Sequence, residues 1–294
     1  MEERTSNVRR SLFSLAHPAV IFLYFCAVIV LCMSTLNPAF VLLSYVGASA
    51  LAIFTSGLRR YGKTCLVFIP VFLVITLANA LFNHLGETFL FHAGPLRLSL
   101  EALIYGATSA LMLLSVILWF LSYQNIMTTD KFLCLFGRIM PATSLIMSMI
   151  FRYIPLLANR GHEILMSQKN LMGDVPRKKL QSLSYGARLS SILMGWSLEQ
   201  SIETADSMRA RGFGSHKRTT YTPFSFGGFD VVALMLLAFL TIISLYNLIV
   251  ARADFMFYPY FSLSLPHALV TTSYALLLLF PFLVELKGAL SCRI

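Results

Sequence analysis

What most constrains this chain is a series of apolar runs, each about as long as a bilayer is thick. A spanning helix needs about 20 mostly apolar residues. Six runs meet or approach that length, at about 18–35, 39–55, 65–82, 101–123, 230–250 and 266–286. Pro70 lies inside the third, and a packed membrane helix tolerates it. Composition agrees: 57% of the residues are hydrophobic and only 12% are charged, about half the charged share of a typical soluble domain. These features predict an all-α fold: a polytopic membrane protein with about six transmembrane helices. Three regions are expected. Residues 1–123 hold four spans, 124–228 form a cytoplasmic section of long amphipathic helices, and 229–294 hold two more spans.

The formal net charge is +10. In a membrane protein the position of each cation matters more than the sum, because Lys and Arg stay on the cytoplasmic side. In the six-span arrangement, 21 of the 23 basic residues fall on one side, and only Arg97 and Arg252 fall on the other. Both termini and the long middle section are therefore expected in the cytoplasm, with the chain in the cell membrane. The five cysteines (Cys26, Cys32, Cys65, Cys134 and Cys292) form no CxxC or Cys–His cluster and read as small apolar fillers. The first apolar run has no small-residue cleavage pattern after it, so it reads as a span and not as a cleaved signal.

One short stretch points elsewhere. Gly57 to Thr64 reads GLRRYGKT, which satisfies G-x-x-x-x-G-K-[ST], the pattern of a phosphate-binding P-loop. A P-loop follows a buried strand and opens a helix in a soluble α/β domain. Here the flanks are ALAIFTS and CLVFIP, both membrane segments. The stretch is expected to be a basic turn between two spans, and the chain is not expected to hydrolyse ATP itself.

The middle section carries more information. Thr128-Thr129-Asp130 starts a short helix that Pro141 ends. A longer helix is expected from about Ala142 to Gly173, apolar in its first half (ATSLIMSMIFRYIPLL) and polar in its second, with a bend at Pro155. A third is expected from about Arg177 to Arg211, roughly 50 Å long at 1.5 Å per residue. Its waist, Leu189 to Leu198, is apolar and its ends are charged. Such a helix suits crossing another at its waist. It closes on Met208-Arg209-Ala210-Arg211-Gly212-Phe213-Gly214. Gly212 can take the left-handed conformation that ends a helix, and cations suit the negative end of the helix dipole. These local residues alone are explained by a helix cap with an Asp206–Arg209 pair.

In this order, the motifs identify a resemblance. MRARGFG resembles the Ala-Arg-Gly signature of the transmembrane T component of energy-coupling factor (ECF) transporters, a family that includes the membrane component of cobalt and nickel importers. Ala16-His17-Pro18, Asn37-Pro38, Thr129-Asp130-Lys131-Phe132-Leu133 and Phe151-Arg152-Tyr153-Ile154-Pro155 agree with it, and the resemblance extends from about 15 to 290. It implies two ABC-type ATPase subunits as partners, each gripping the end of one long coupling helix. It also implies a small substrate-binding membrane protein that docks on the apolar face of those helices. The ATPase-binding residues it implies are Arg209, Ala210, Arg211 and Gly212. At the first helix end they are Gln168, Lys169, Leu171, Met172 and Gly173, where Leu-Met-Gly replaces the expected Ala-Arg-Gly. Met147, Met149, Leu193, Met194 and Trp196 are candidates for docking the substrate-binding subunit, and ordinary membrane packing explains the methionines equally well. Arg211 suits a carboxylate because its planar fork forms paired, charge-assisted bonds.

The resemblance implies a transducing scaffold with no catalytic residue, cofactor or metal of its own, in a system for uptake of vitamins or metal ions. A stand-alone secondary transporter or channel is the alternative. Such proteins usually carry ionisable groups inside spans. Here Glu101 and Glu285 lie at span ends, and no inverted repeat is seen. An enzyme or metal site would need clustered ligands, and His17, His84, His92, His162, His216 and His267 are scattered. The basic residues of the middle section lack aromatic interleaving, so no nucleic-acid partner is expected.

Overall fold

The computed structural model of the chain describes residues 13, 16–82, 89–93, 96–137, 140–172, 179–215, 226–252 and 268–291. The described residues are helical apart from one hairpin. The order is α1 (Pro18–Ser34), α2 (Pro38–Ser56), α3 (Leu58–Phe82), β1 (Phe89–Ala93), β2 (Leu96–Ser99), α4 (Leu100–Ile126), α5 (Thr129–Gly137), α6 (Pro141–Met172), α7 (Lys179–Ala210), α8 (Gly228–Arg252) and α9 (Ala268–Ser291). The chain divides into two compact units. One comprises Met1–Phe132 with Phe224–Ile294, and the other is Leu133–Pro223.

In the first unit the helices start where the sequence supplies caps. His17 and Asn37 each precede a proline at the first helical turn, where the missing N–H costs nothing. The His17 Nδ1 accepts from the Ala19 amide at 3.2 Å, and the Asn37 Oδ1 accepts from the Ala39 amide at 3.1 Å. The Ser99 hydroxyl accepts from the Ala102 amide to open α4.

Helix α4 is the hub of this unit. It packs on α1, α2 and α3, while α9 packs on α2 and α8, and α8 on α1. Trp119 of α4 is fully buried, against Tyr24 and Phe25 of α1. Its indole N–H donates to the Ser44 hydroxyl at 3.1 Å, and the Ser44 and Ser115 hydroxyls share a bond of 2.9 Å. These pairs satisfy polar groups that water cannot reach. Small residues bring α3 and α4 together, as membrane helices require. A Cβ on Gly106 would lie 2.9 Å from the Thr76 carbonyl oxygen.

One end of the unit gathers several chain segments. The His17 amide donates to the Asp230 carboxylate at 3.3 Å, and Asp230 also accepts from the Gly227 amide at 3.0 Å, which joins the starts of α1 and α8. The Phe13 amide donates to the Glu285 carboxylate near the end of α9. Asn125 donates to the Ser56 hydroxyl at 2.7 Å and links the ends of α4 and α2. Just beyond α4, the Lys131 ammonium donates to the Ile126 carbonyl at 2.9 Å. A cation there complements the helix dipole, and burial pushes its pKa below the usual lysine value.

The hairpin was not expected from the sequence. It pairs β1 and β2 antiparallel, with Phe91 opposite Leu98 and Ala93 opposite Leu96. The signal was present in the alternating LRLS and in the Gly94-Pro95 dipeptide that precedes it.

Among the described residues, five helices are long and apolar enough to cross a membrane: Pro38–Ser56, Leu58–Phe82, Leu100–Ile126, Pro141–Leu171 and Gly228–Tyr246. The first and last expected spans are shorter apolar helices, Pro18–Ser34 and Thr271–Glu285. The chain is therefore a multi-pass membrane protein. The fourth of the five belongs to α6, in the section expected to be cytoplasmic. Its first half carries one charge, Arg152, and this makes it as apolar as a span.

Candidate functional site

The second unit contains two helices of equal length, 32 residues each. They cross once. Gly161 of α6 leaves room for the Leu193 side chain, which would lie 3.7 Å from a Cβ placed there. The Arg160 guanidinium sits 5.6 Å from the centre of the Trp196 ring and pairs with Glu163 at 2.7 Å. Farther along, the Tyr153 and Thr204 hydroxyls share a bond of 2.8 Å. The crossing thus uses the waist of α7, and the helices run antiparallel through it. Pro155 lies inside α6 between these contacts.

The end of α7 is closed by backbone geometry. The Phe213 amide donates to the Met208 carbonyl at 3.0 Å, and the Gly212 amide donates to the Arg209 carbonyl at 2.9 Å. With Gly212 at φ +78°, this is a Schellman closure, and a glycine suits its left-handed residue because a Cβ would be strained there. The Ser215 hydroxyl then donates to the Gly212 carbonyl at 2.7 Å. Arg209, Ala210, Arg211 and Gly212 are all exposed. Among the described residues, neither Arg209 nor Arg211 forms an ion pair. The expected Asp206–Arg209 pair is therefore not formed. Both side chains are solvated, and a surface pair three residues apart gains little there.

The end of α6 is built differently. Met172 closes the helix, Lys169 lies in its last turn, and Leu171 is strongly exposed while Gln168 is half-buried. Gly173 lies outside the described residues. Of the docking candidates, Met147 and Met194 are exposed and Met149 is half-buried. Leu193 and Trp196 sit at the crossing, against Gly161 and Arg160. Met194 continues an apolar stripe through Leu198 to Ile202, exposed at four-residue spacing, and sequence reading did not extend the candidate surface to Ile202.

GLRRYGKT does not form a phosphate loop. Gly57 closes α2 with φ +81°, and α3 begins at Leu58. The Tyr61 amide donates back to the Gly57 carbonyl at 3.1 Å, and the Thr64 hydroxyl to the Arg60 carbonyl. Groups that a P-loop turns toward phosphate are engaged in the helix instead. Among the described residues, no three His, Cys, Asp or Glu side chains gather as metal ligands would.

The sequence matches CbiQ, cobalt transport protein, over residues 10–222. The chain belongs to the CbiQ family. This is the family of ECF T components, so the chain is a membrane component of cobalt-type micronutrient transport. The CbiQ match covers α1 through α7, including both helix ends and the crossing. The family takes part in ABC-type transport and is not a known enzyme family. No match to a curated protein was found.

Proposed function

We propose that this CbiQ-family chain is the energy-coupling scaffold of an ECF-type importer. The ends of α7 and α6 each seat in one of two partner ATPase subunits. Arg209 to Gly212 forms the stronger contact, and Gln168 to Gly173 the weaker one, since no arginine stands at the second. ATP binding and hydrolysis move the ATPases, and the helix ends transmit that motion to the crossing at Arg160, Trp196, Tyr153 and Thr204. A small substrate-binding membrane protein docks on the exposed apolar residues of the pair, among them Met147 and Met194. The apolar half of α6 then lies in lipid and its polar half in water. Both termini face the cytoplasm, the side where most of the basic residues would then lie. The cargo is a metal ion or a vitamin, held by the other membrane protein.

One observation carries this reading. The closure of α7 holds two exposed, unpaired arginines on a fixed helix end, which suits a carboxylate-lined groove. Co-purification of the tagged chain with ATPase subunits from its source cells tests it. Wild type should bring down an ATPase pair, and Arg211→Glu should lose it while eluting as the same monodisperse species. Capture unchanged by the charge reversal would leave MRARGFG a helix cap, and wild type coming down alone would reopen the secondary-transporter alternative.

A further inference from the structure

The stretch that imitates a P-loop lines part of a cavity. This cavity, of about 270 Å³, lies in the first unit between α2, α3 and α4. Its polar side includes Arg60, Lys63 and Asn125, and its apolar wall includes Leu118 and Leu121. Arg60 and Lys63 stand three residues apart, on one face of α3. Both are exposed, and among the described residues neither forms an ion pair. Among the described residues, no carboxylate lines the cavity. The Asn125–Ser56 bond of 2.7 Å ties α4 to α2 behind it. Farther along α3, Leu66, Val67, Leu73 and Val74 are all more than half exposed, as befits a helix face turned to lipid tails. The cavity therefore lies where that apolar face gives way to cationic residues.

We propose that this cavity binds the phosphate of an anionic phospholipid. Arg60 and Lys63 take the phosphodiester, and the first acyl carbons lie along Leu118 and Leu121. A bare phosphate ion has the same charge chemistry but makes no use of the apolar wall. Positive-inside retention alone would also place cations here, but it would not distinguish Arg60 and Lys63 from Arg59, which does not line the cavity.

The test uses the full chain in detergent and requires no ATPase. Native mass spectrometry would count retained palmitoyl-oleoyl phosphatidylglycerol, with phosphatidylcholine and inorganic phosphate as competitors. Phosphatidylglycerol should be retained against both. The double variant Arg60→Gln/Lys63→Gln should weaken its binding about thirtyfold, from the usual worth of two cations at an anionic surface. Arg59→Gln should change it less than about threefold. Equal retention of phosphatidylglycerol and phosphatidylcholine would overturn the proposal, as would an Arg59→Gln loss matching that of the double variant. Displacement by inorganic phosphate would assign the site to the free ion and overturn the lipid. If the double variant does not fold, the wild-type competition among the three probes decides alone.

Discussion

The two units are made of the same kind of helix and held together in opposite ways. In the first, α4 is enclosed by neighbours, and Trp119, Tyr24, Phe25 and Leu277 are almost wholly buried. In the second, no apolar side chain among the described residues is buried, and the α6–α7 contacts among those residues fall in one stretch. A dense core resists displacement because interiors are close-packed and poorly compressible. A contact made of one cation–ring pair, one hydroxyl pair and a leucine against a glycine is cheaper to displace. The same chain thus combines a rigid membrane body with a pair of long helices that can shift. That combination suits the proposed coupling role.

Tryptophan substitutions sharpen this contrast most. Trp119→Ala should cost about 3–5 kcal/mol, as emptying a large buried site does, and should abolish the monodisperse peak in detergent. Trp196→Ala removes a half-exposed ring and its cation contact, worth about 1 kcal/mol, and should leave that peak intact. Similar losses at both positions would break the distinction between the units.

Next in size is Gly106→Leu. It forces a side chain against the Thr76 carbonyl and should cost about 1–3 kcal/mol, the range for overpacking. Thermal unfolding followed by tryptophan fluorescence would register it. In the second unit, Gly212→Val places a branched residue at φ +78° and should cost about 1–3 kcal/mol locally. The global melting temperature should barely move, because the end of α7 can fray alone. Hydrogen exchange at Arg211 and Phe213 should rise, and ATPase capture should weaken.

The smallest effect concerns Lys131. Burial lowers its pKa in the folded chain, so the charged form is penalised on folding. That penalty is complete below the folded pKa and disappears as pH rises toward the unfolded value near 10.5. Wild type should therefore gain stability relative to Lys131→Met across that alkaline window. A difference that stays flat with pH would show that the ammonium is not desolvated.

How much of this was legible follows from what each signal depends on. The spans at α2, α3, α4 and α8 are readable because an uninterrupted apolar run has few alternatives to crossing a bilayer. The hairpin at 89–99 was missed because strands of five and four residues give a weak pattern beside runs of twenty. Gly212 announced the end of α7, and the Met208–Phe213 backbone bond follows from that glycine. The fate of Arg209 was not readable. Whether a solvated cation pairs with Asp206 depends on small differences among rotamers, which spacing does not encode. The side-by-side placement of Arg60, Lys63 and Leu118 needs the packing of α3 on α4, and no local pattern supplies it.

The position of the crossing has a mechanical consequence. Contacts between Leu193 and Thr204 divide α7 unequally. The arm toward Ala210 is about 17 Å long and the arm toward Lys179 about 30 Å, at 1.5 Å per residue. Contacts from Tyr153 to Gly161 divide α6 into nearly equal arms of about 23 Å. If each helix pivots as a stiff rod, α7 multiplies a displacement of its arginine-bearing tip almost twofold at its far end, and α6 returns it unchanged. Equal strokes applied to the two tips would then emerge unequal, and a symmetric drive would become a tilt.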